Sequence, residues 1–350
     1  MKKWKLGLSS VILVGLLAAC GDDETIETNA DTNVGSDNNA GQTEIAKDAK
    51  VLKFAFSAAE DAFKPFYEVE QIIESKTNGA IDVQFYPGGQ LGGDVQALEG
   101  VRSGTIEASA MSTTIIASLN PEFNIYDVPF LFKSSDVAYE IMDGEIGDKL
   151  SESLEQYDLV GLGYLDATYR NLTNNKKEVR TPDDLKGLNV RTLENALQVK
   201  FWKELGANPT AISFSELYSA LESNVVEGQE NPFNVINSSK FFEVQKFMTR
   251  TEHLLMPRFV VVSDKFWNSL TPEEQTIVQE AIKVGSDNMR AESLNQQDAA
   301  IANIEANGVK ITELSDEDRQ LWIDKAAPVY DEFKKVIGEE LYNQVIELAK

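Results

Sequence analysis

The stretch from Leu185 to Phe233 reads LKGLNVRTLENALQVKFWKELGANPTAISFSELYSALESNVVEGQENPF. Leu188 to Arg191 has the pattern of a short strand that ends in a cation. A helical run follows and stops at the tight turn Gly206-Ala207-Asn208-Pro209. Ser213-Phe214-Ser215-Glu216 has the S-x-x-E spacing of a capping box, where a hydroxyl and a carboxylate satisfy free amides at a helix N-terminus. Gly228-Gln229-Glu230-Asn231-Pro232 is polar and turn-forming, so the second helix is expected to give way to a loop. This reading puts Arg191 at a strand end and Asn231 on a loop, common addresses for ligand-handling groups in α/β folds. On physical grounds alone it is a candidate anion pocket.

Working outward toward the N-terminus, Val51 to Phe56 reads as a strand and Ala59 to Lys76 as a helix closed by Asn78-Gly79. Ile81 to Tyr86 is a second strand, and Pro87-Gly88-Gly89-Gln90-Leu91-Gly92-Gly93-Asp94 joins it to the next helix. That junction lacks the Gly-Lys-Ser/Thr ending of a P-loop. It reads either as a glycine turn or as a helix N-terminus facing an anionic or hydroxylated ligand. Ile106 to Ser112 makes a third strand, and the β-α-β-α-β order implies a largely parallel sheet flanked by helices. Pro121 to Phe132, aromatic and bracketed by prolines, reads mainly as core.

Toward the C-terminus, Val160 to Tyr164 is strand-like and Thr181-Pro182-Asp183-Asp184 opens a short helix. Phe259 to Val262 is continuously apolar, the signature of a strand buried in a parallel sheet. Thr271-Pro272-Glu273-Glu274 is a strong helix start, and no breaker follows until Asn307-Gly308. The expected helix, about 272–307, is roughly 50 Å long at 1.5 Å rise per residue, too long for one small lobe.

Residues 1–20 have a leader's layout, with Lys2, Lys3 and Lys5 before an apolar run and Leu17-Ala18-Ala19-Cys20 at the end. Cys20 is the single cysteine, so no intrachain disulfide is possible, and its expected fate is lipidation after cleavage. Residues 21–49 are rich in Asp, Thr, Asn and Gly and read as a flexible tether. The formal charge of −25 argues against nucleic acid, which needs a basic face. It also means that an acidic ligand must be held by local cations, of which the chain has eight arginines. The one histidine, His253, leaves zinc triads and histidine-assisted nucleophiles without parts, and neither a Gly-x-Ser-x-Gly elbow nor a dinucleotide fingerprint occurs. Neither a metal nor a cofactor is expected.

Four blocks fall in a familiar order: Lys186-Gly187-Leu188 with Val190-Arg191, then Leu205-Gly206-Ala207-Asn208-Pro209-Thr210, then Phe214-Ser215-Glu216-Leu217-Tyr218, then Glu227-Gly228-Gln229-Glu230-Asn231-Pro232. They resemble the solute-binding subunits of tripartite ATP-independent periplasmic (TRAP) transporters, the DctP-like family, over about Leu52 to Leu348. The resemblance implies a two-lobe α/β periplasmic-binding-protein-like fold with the ligand in the interlobe cleft and a long helix bridging the lobes. Lobe I is expected at 50–167 plus 257–290 and lobe II at 168–256 plus 291–350. It further implies an extracytoplasmic protein that is not an enzyme. The resemblance implies that the chain captures a small organic acid, such as a four-carbon dicarboxylate or a sugar acid, and delivers it to the small and large membrane subunits of a permease. A monomer anchored through lipid on Cys20 to the outer face of the cell membrane is expected.

The resemblance assigns Arg191 to the ligand's carboxylate, in keeping with the planar fork a guanidinium offers. Arg170, in Arg170-Asn171-Leu172-Thr173-Asn174, matches a second cleft arginine; Asn231 a ligand-contacting asparagine; and Phe214 an aromatic against the carbon skeleton. Asp94 matches a cleft acid. Ser57 and Ser112 stand where some relatives carry asparagine or near where they carry an acid, and Asn195 is a further candidate. Two other classes remain open on sequence: a receptor for an ABC importer or sensor kinase, and a lipid-anchored hydrolase.

Overall fold

The structure, a computed structural model, describes residues 43–349. The expected leader, Cys20 and most of the expected tether lie outside the described residues. In chain order the principal elements begin with β1 (Lys50–Ala55), α1 (Glu68–Lys76), β2 (Ile81–Tyr86), α2 (Asp94–Ser103) and β3 (Ala108–Ser112). After these come α3 (Thr113–Ile116), α4 (Ser135–Met142), α5 (Glu145–Glu152), β4 (Leu159–Asn174), β5 (Asn189–Thr192) and α6 (Ala196–Leu205). The middle of the chain continues with β6 (Asn208–Ala211), α7 (Leu217–Glu222), β7 (Gly228–Asn231), α8 (Phe233–Ser238), β8 (Phe247–Ser263) and α9 (Asp264–Trp267). It closes with α10 (Pro272–Asn295), α11 (Gln297–Ala306), β9 (Lys310–Glu313), α12 (Asp316–Ala326), α13 (Tyr330–Ile337) and α14 (Glu339–Leu348).

The nine strands of the described residues form one mixed α/β sheet in the order β2-β1-β3-β8-β4-β7-β5-β6, with β9 alongside β8. The strands β2, β1 and β3 are parallel, as are β7, β5 and β6. Between these outer sets run β4 and β8, of 16 and 17 residues, paired antiparallel from Leu159 opposite Ser263 to Asn174 opposite Phe247. Their register shifts at three places, the last between Arg170 and Leu172. Phe259 to Val262 is buried as expected, but its neighbours β3 and β4 are both antiparallel to it. An apolar run reports burial on both faces and is silent on strand direction.

Two further expectations need correction. Gly228 to Asn231 is a fully buried strand and not a loop, because its polar side chains bond to one another and to β4. The capping box at Ser213 does not form: Ser213 Oγ pairs with Ser215 Oγ at 3.1 Å, and a 3-10 turn leads into α7. By contrast the box at Thr271 is complete, with Thr271 N donating to Glu274 Oε2 at 2.7 Å and Glu274 N to Thr271 Oγ1 at 3.2 Å.

The helix that starts there is interrupted at Gln296, so the expected 35-residue rod is a 24-residue and a 10-residue helix. Each part has its own partners. Val278, Ile282 and Met289 of α10 pack in a core with Phe54, Phe66 and Val69, while Ala300 and Ile304 of α11 join Leu217, Phe233 and Phe241. Gly285 lets α10 sit close to its core, since a Cβ there would lie 2.6 Å from Phe66 and Val69. A third and larger core gathers Phe123, Tyr126, Phe201, Trp202, Trp322 and Phe333. Phe123, Ile125, Tyr126, Val128 and Phe132 of the Pro121 to Phe132 stretch belong to it, as expected, while Pro121 and Glu122 are exposed.

Candidate functional site

The ends of the strands converge on a cavity that opens to solvent. The chain just after β1 supplies Ser57, the first turn of α2 supplies Asp94, and the end of β3 supplies Ser112. From across the sheet come Arg170 on β4, Arg191 on β5, Asn231 at the end of β7, and Phe214. Seven of the eight candidate ligand residues are thus brought together. Asn195 is not among the lining residues: its Oδ1 caps α6, and its Nδ2 donates to Thr114 O at 3.2 Å and Asn124 Oδ1 at 2.9 Å.

Arg191 is 2% exposed. Its Nε donates to Ile212 O at 2.8 Å, and its Nη1 is buried with no partner among the described residues. Phe214 lies 6.0 Å from the guanidinium carbon. Burial, helped by the charge of Arg170 and opposed by Glu230, Asp94 and Glu194, lowers the Arg191 pKa to about 10. A buried donor without an acceptor is costly, and a bound carboxylate oxygen is the group that would remove that cost.

Arg170 is in a different position. Its Nε and Nη2 hold both oxygens of Glu230, Nη2 also reaches the Glu230 carbonyl at 2.6 Å, and Nη1 meets Met256 Sδ. His253 Nε2 lies 3.2 Å from Glu230 Oε2, and its Nδ1 lies 2.8 Å from Thr251 Oγ1. Burial would push the Glu230 pKa up, but Arg170 and the His253 contact outweigh it and hold the carboxyl at about 2. Burial pushes His253 down, favouring its neutral form. Asn231 donates to Gln229 Oε1 at 2.5 Å, which leaves its Oδ1 without a protein partner among the described residues. Ser112 Oγ is engaged locally with Thr114.

Sequence reasoning passed over four groups. Glu230 sits inside the quoted Gly228 to Pro232 block, but its pairing with Arg170 spans 60 positions and left no local signal. Arg258 also lines the cavity, with Nε and Nη2 each 2.6 Å from the oxygens of the buried Asp166. Glu194 lines the wall beside Arg191. Deeper in, Asp127 accepts from Thr114 Oγ1 at 2.7 Å while its Oδ2 has no partner, and burial raises its pKa to about 7. Among the described residues no group of His, Cys, Asp and Glu is arranged to hold a metal ion.

Known proteins share this arrangement of chain. The profile of the bacterial extracellular solute-binding protein family 7, DctP, matches residues 56–336. The C4-dicarboxylate-binding protein DctB of Bacillus subtilis (strain 168) is 32% identical over 309 residues, which cover 87% of this chain and 88% of DctB. The 2,3-diketo-L-gulonate-binding periplasmic protein YiaO of Escherichia coli (strain K12) is 34% identical over 309 residues, 86% of this chain and 92% of YiaO. The crystal structure of the sugar acid binding protein DctPAm from Advenella mimigardefordensis strain DPN7T, in complex with galactonate, superposes with a TM-score of 0.84 at 33% identity. That match covers 87% of this chain and 99% of DctPAm. With the profile spanning most of the chain and the same two-lobe fold in a structure of such similarity, the chain belongs to bacterial extracellular solute-binding protein family 7, the DctP family of TRAP solute-binding proteins.

Proposed function

We propose that this chain captures a small organic acid outside the cytoplasm and delivers it to the small and large membrane subunits of a TRAP permease. The observation that carries the reading is the buried guanidinium of Arg191, with one nitrogen that no protein acceptor serves. In this reading the ligand's carboxylate takes that nitrogen, Asn231 Oδ1 and Ser57 complete the polar contacts, and Phe214 lies against the carbon skeleton. Arg170 contributes through its Nη1 edge, its charge being engaged by Glu230. The lobes, 50–167 plus 257–290 and 168–256 plus 291–350, close on the acid, and the closed form docks on the permease.

The same proposal has Cys20 carry the lipid that holds a monomer at the outer face of the cell membrane, with residues 21–49 as its tether. Among the described residues no helix is long and apolar enough to cross a membrane. No chemical step is assigned to the site. A thermal-shift screen over organic acids, followed by recovery of the ligand, tests this. An acid that raises the melting temperature and returns unchanged is the expected result; chemical conversion, or stabilisation by neutral sugars alone, would refute it.

A further inference from the structure

We infer that the site takes a monocarboxylate bearing hydroxyl groups, and that Asp94 and Glu194 together bar a second carboxylate. This rests on the reading of Arg191 as the carboxylate anchor. Three arginines line the cavity, Arg170, Arg191 and Arg258. Two of them are neutralised at contact distance, Arg170 by Glu230 and Arg258 by Asp166. Glu230 is 0% and Asp166 2% exposed, so each pair is complete within the protein. Such a pair still donates hydrogen bonds from its remaining nitrogen, but it offers a ligand no net charge.

Arg191 is therefore the one lining arginine left to balance an anion, and one ligand carboxylate uses it. Facing it in the same cavity are Asp94 and Glu194. Among the described residues neither is in an ion pair, and Glu194 makes no side-chain hydrogen bond. Asp94 has the Ser57 hydroxyl beside it; burial raises its pKa, the Ser57 hydrogen bond and the charge of Arg191 oppose that, and the charge of Glu194 adds to it. A second carboxylate would meet these two like charges in a partly desolvated space, an arrangement that weakens its binding. Carboxylate acceptors outside any ion pair instead call for ligand hydroxyls, whose hydrogen bonds to charged acceptors are the strong kind. The rest of the wall, including Phe63, Met111, Leu193, Phe214 and Met256, suits uncharged carbon.

Four acids separate the possibilities by calorimetry on the mature chain: D-erythronate and D-galactonate with hydroxyls, butyrate without them, and succinate with a second carboxylate. At least one hydroxylated acid is expected to bind roughly 10-fold or more tighter than both succinate and butyrate. In Asp94→Asn/Glu194→Gln, which keeps the side-chain shapes, that preference over succinate should shrink by about 10-fold or more. Tighter binding of succinate by the unaltered protein, or an unchanged preference in the double variant, overturns the inference. If in that case Arg191→Lys weakens succinate, the carboxylate reading survives alone. Binding of none of the four, or binding indifferent to Arg191→Lys, sinks that reading and the inference with it.

Discussion

Arg170 on β4 and Arg191 on β5 are almost equally hidden, at 1% and 2% exposure, and differ in what surrounds them. Arg170 is enclosed by Glu230 and by His253 behind it, so its charge belongs to the fold. Arg191 has a single carbonyl on Nε and an orphan on Nη1, so its charge is held for something else. The difference teaches that burial of a cation does not by itself mark a ligand site. What marks it is a donor that the protein leaves unserved.

The comparison breaks most visibly at Glu230. Replacing it with alanine leaves the Arg170 guanidinium buried without its partner, which should cost about 3–5 kcal/mol in urea unfolding. A cost under about 1 kcal/mol would mean that Arg170 is not structurally committed. Arg191→Ala should do the reverse. It should lower acid affinity by about 2 kcal/mol or more in calorimetry while moving unfolding free energy by less than about 1 kcal/mol. Equal effects of the two variants on folding and on binding would erase the distinction.

A smaller effect sharpens the comparison through pH. Asp127 has no cation of its own, and burial raises its pKa from 3.8 to about 7. The folded state therefore binds that proton more tightly than the unfolded state does. Its contribution is complete below pH 3.8 and is lost as pH rises through about 7. Glu230, held at about 2 by Arg170, contributes above its ordinary 4.5 and loses that contribution as pH falls toward 2. Asp127→Asn should accordingly gain at least about 1 kcal/mol over the parent at pH 8 and nothing at pH 4, measured by urea titration at both. A gain of equal size at pH 4 would show that packing, not ionisation, is responsible.

Much of the fold was legible because its signals are local. The Thr271 hydroxyl, Pro272 and Glu274 mark a helix start within four residues, and Phe259 to Val262 carries its burial in its own composition. The candidates Arg191, Arg170, Asn231 and Phe214, which line one cavity, were legible through the resemblance to the family. What escaped is what depends on distant partners. Gly228 to Asn231 reads as a turn until Thr173 and Arg170 are present to satisfy it. The interruption at Gln296 has neither glycine nor proline behind it, and it coincides with the change from one core to another. Asn195 had a candidate's chemistry, but it is engaged by Thr114 and Asn124 in three dimensions.

The pair β4 and β8 has a consequence for how this molecule can be taken apart. Paired with each other, the two strands join the outer sets, β8 carrying β3 and β9 and β4 carrying β7. A fragment holding only the first part of the chain would keep half of each ladder and expose the remainder as a raw edge open to aggregation. Neither portion is therefore a module that could be grafted or expressed by itself. Scanning calorimetry should record one heat-absorption peak whose van't Hoff and calorimetric enthalpies agree.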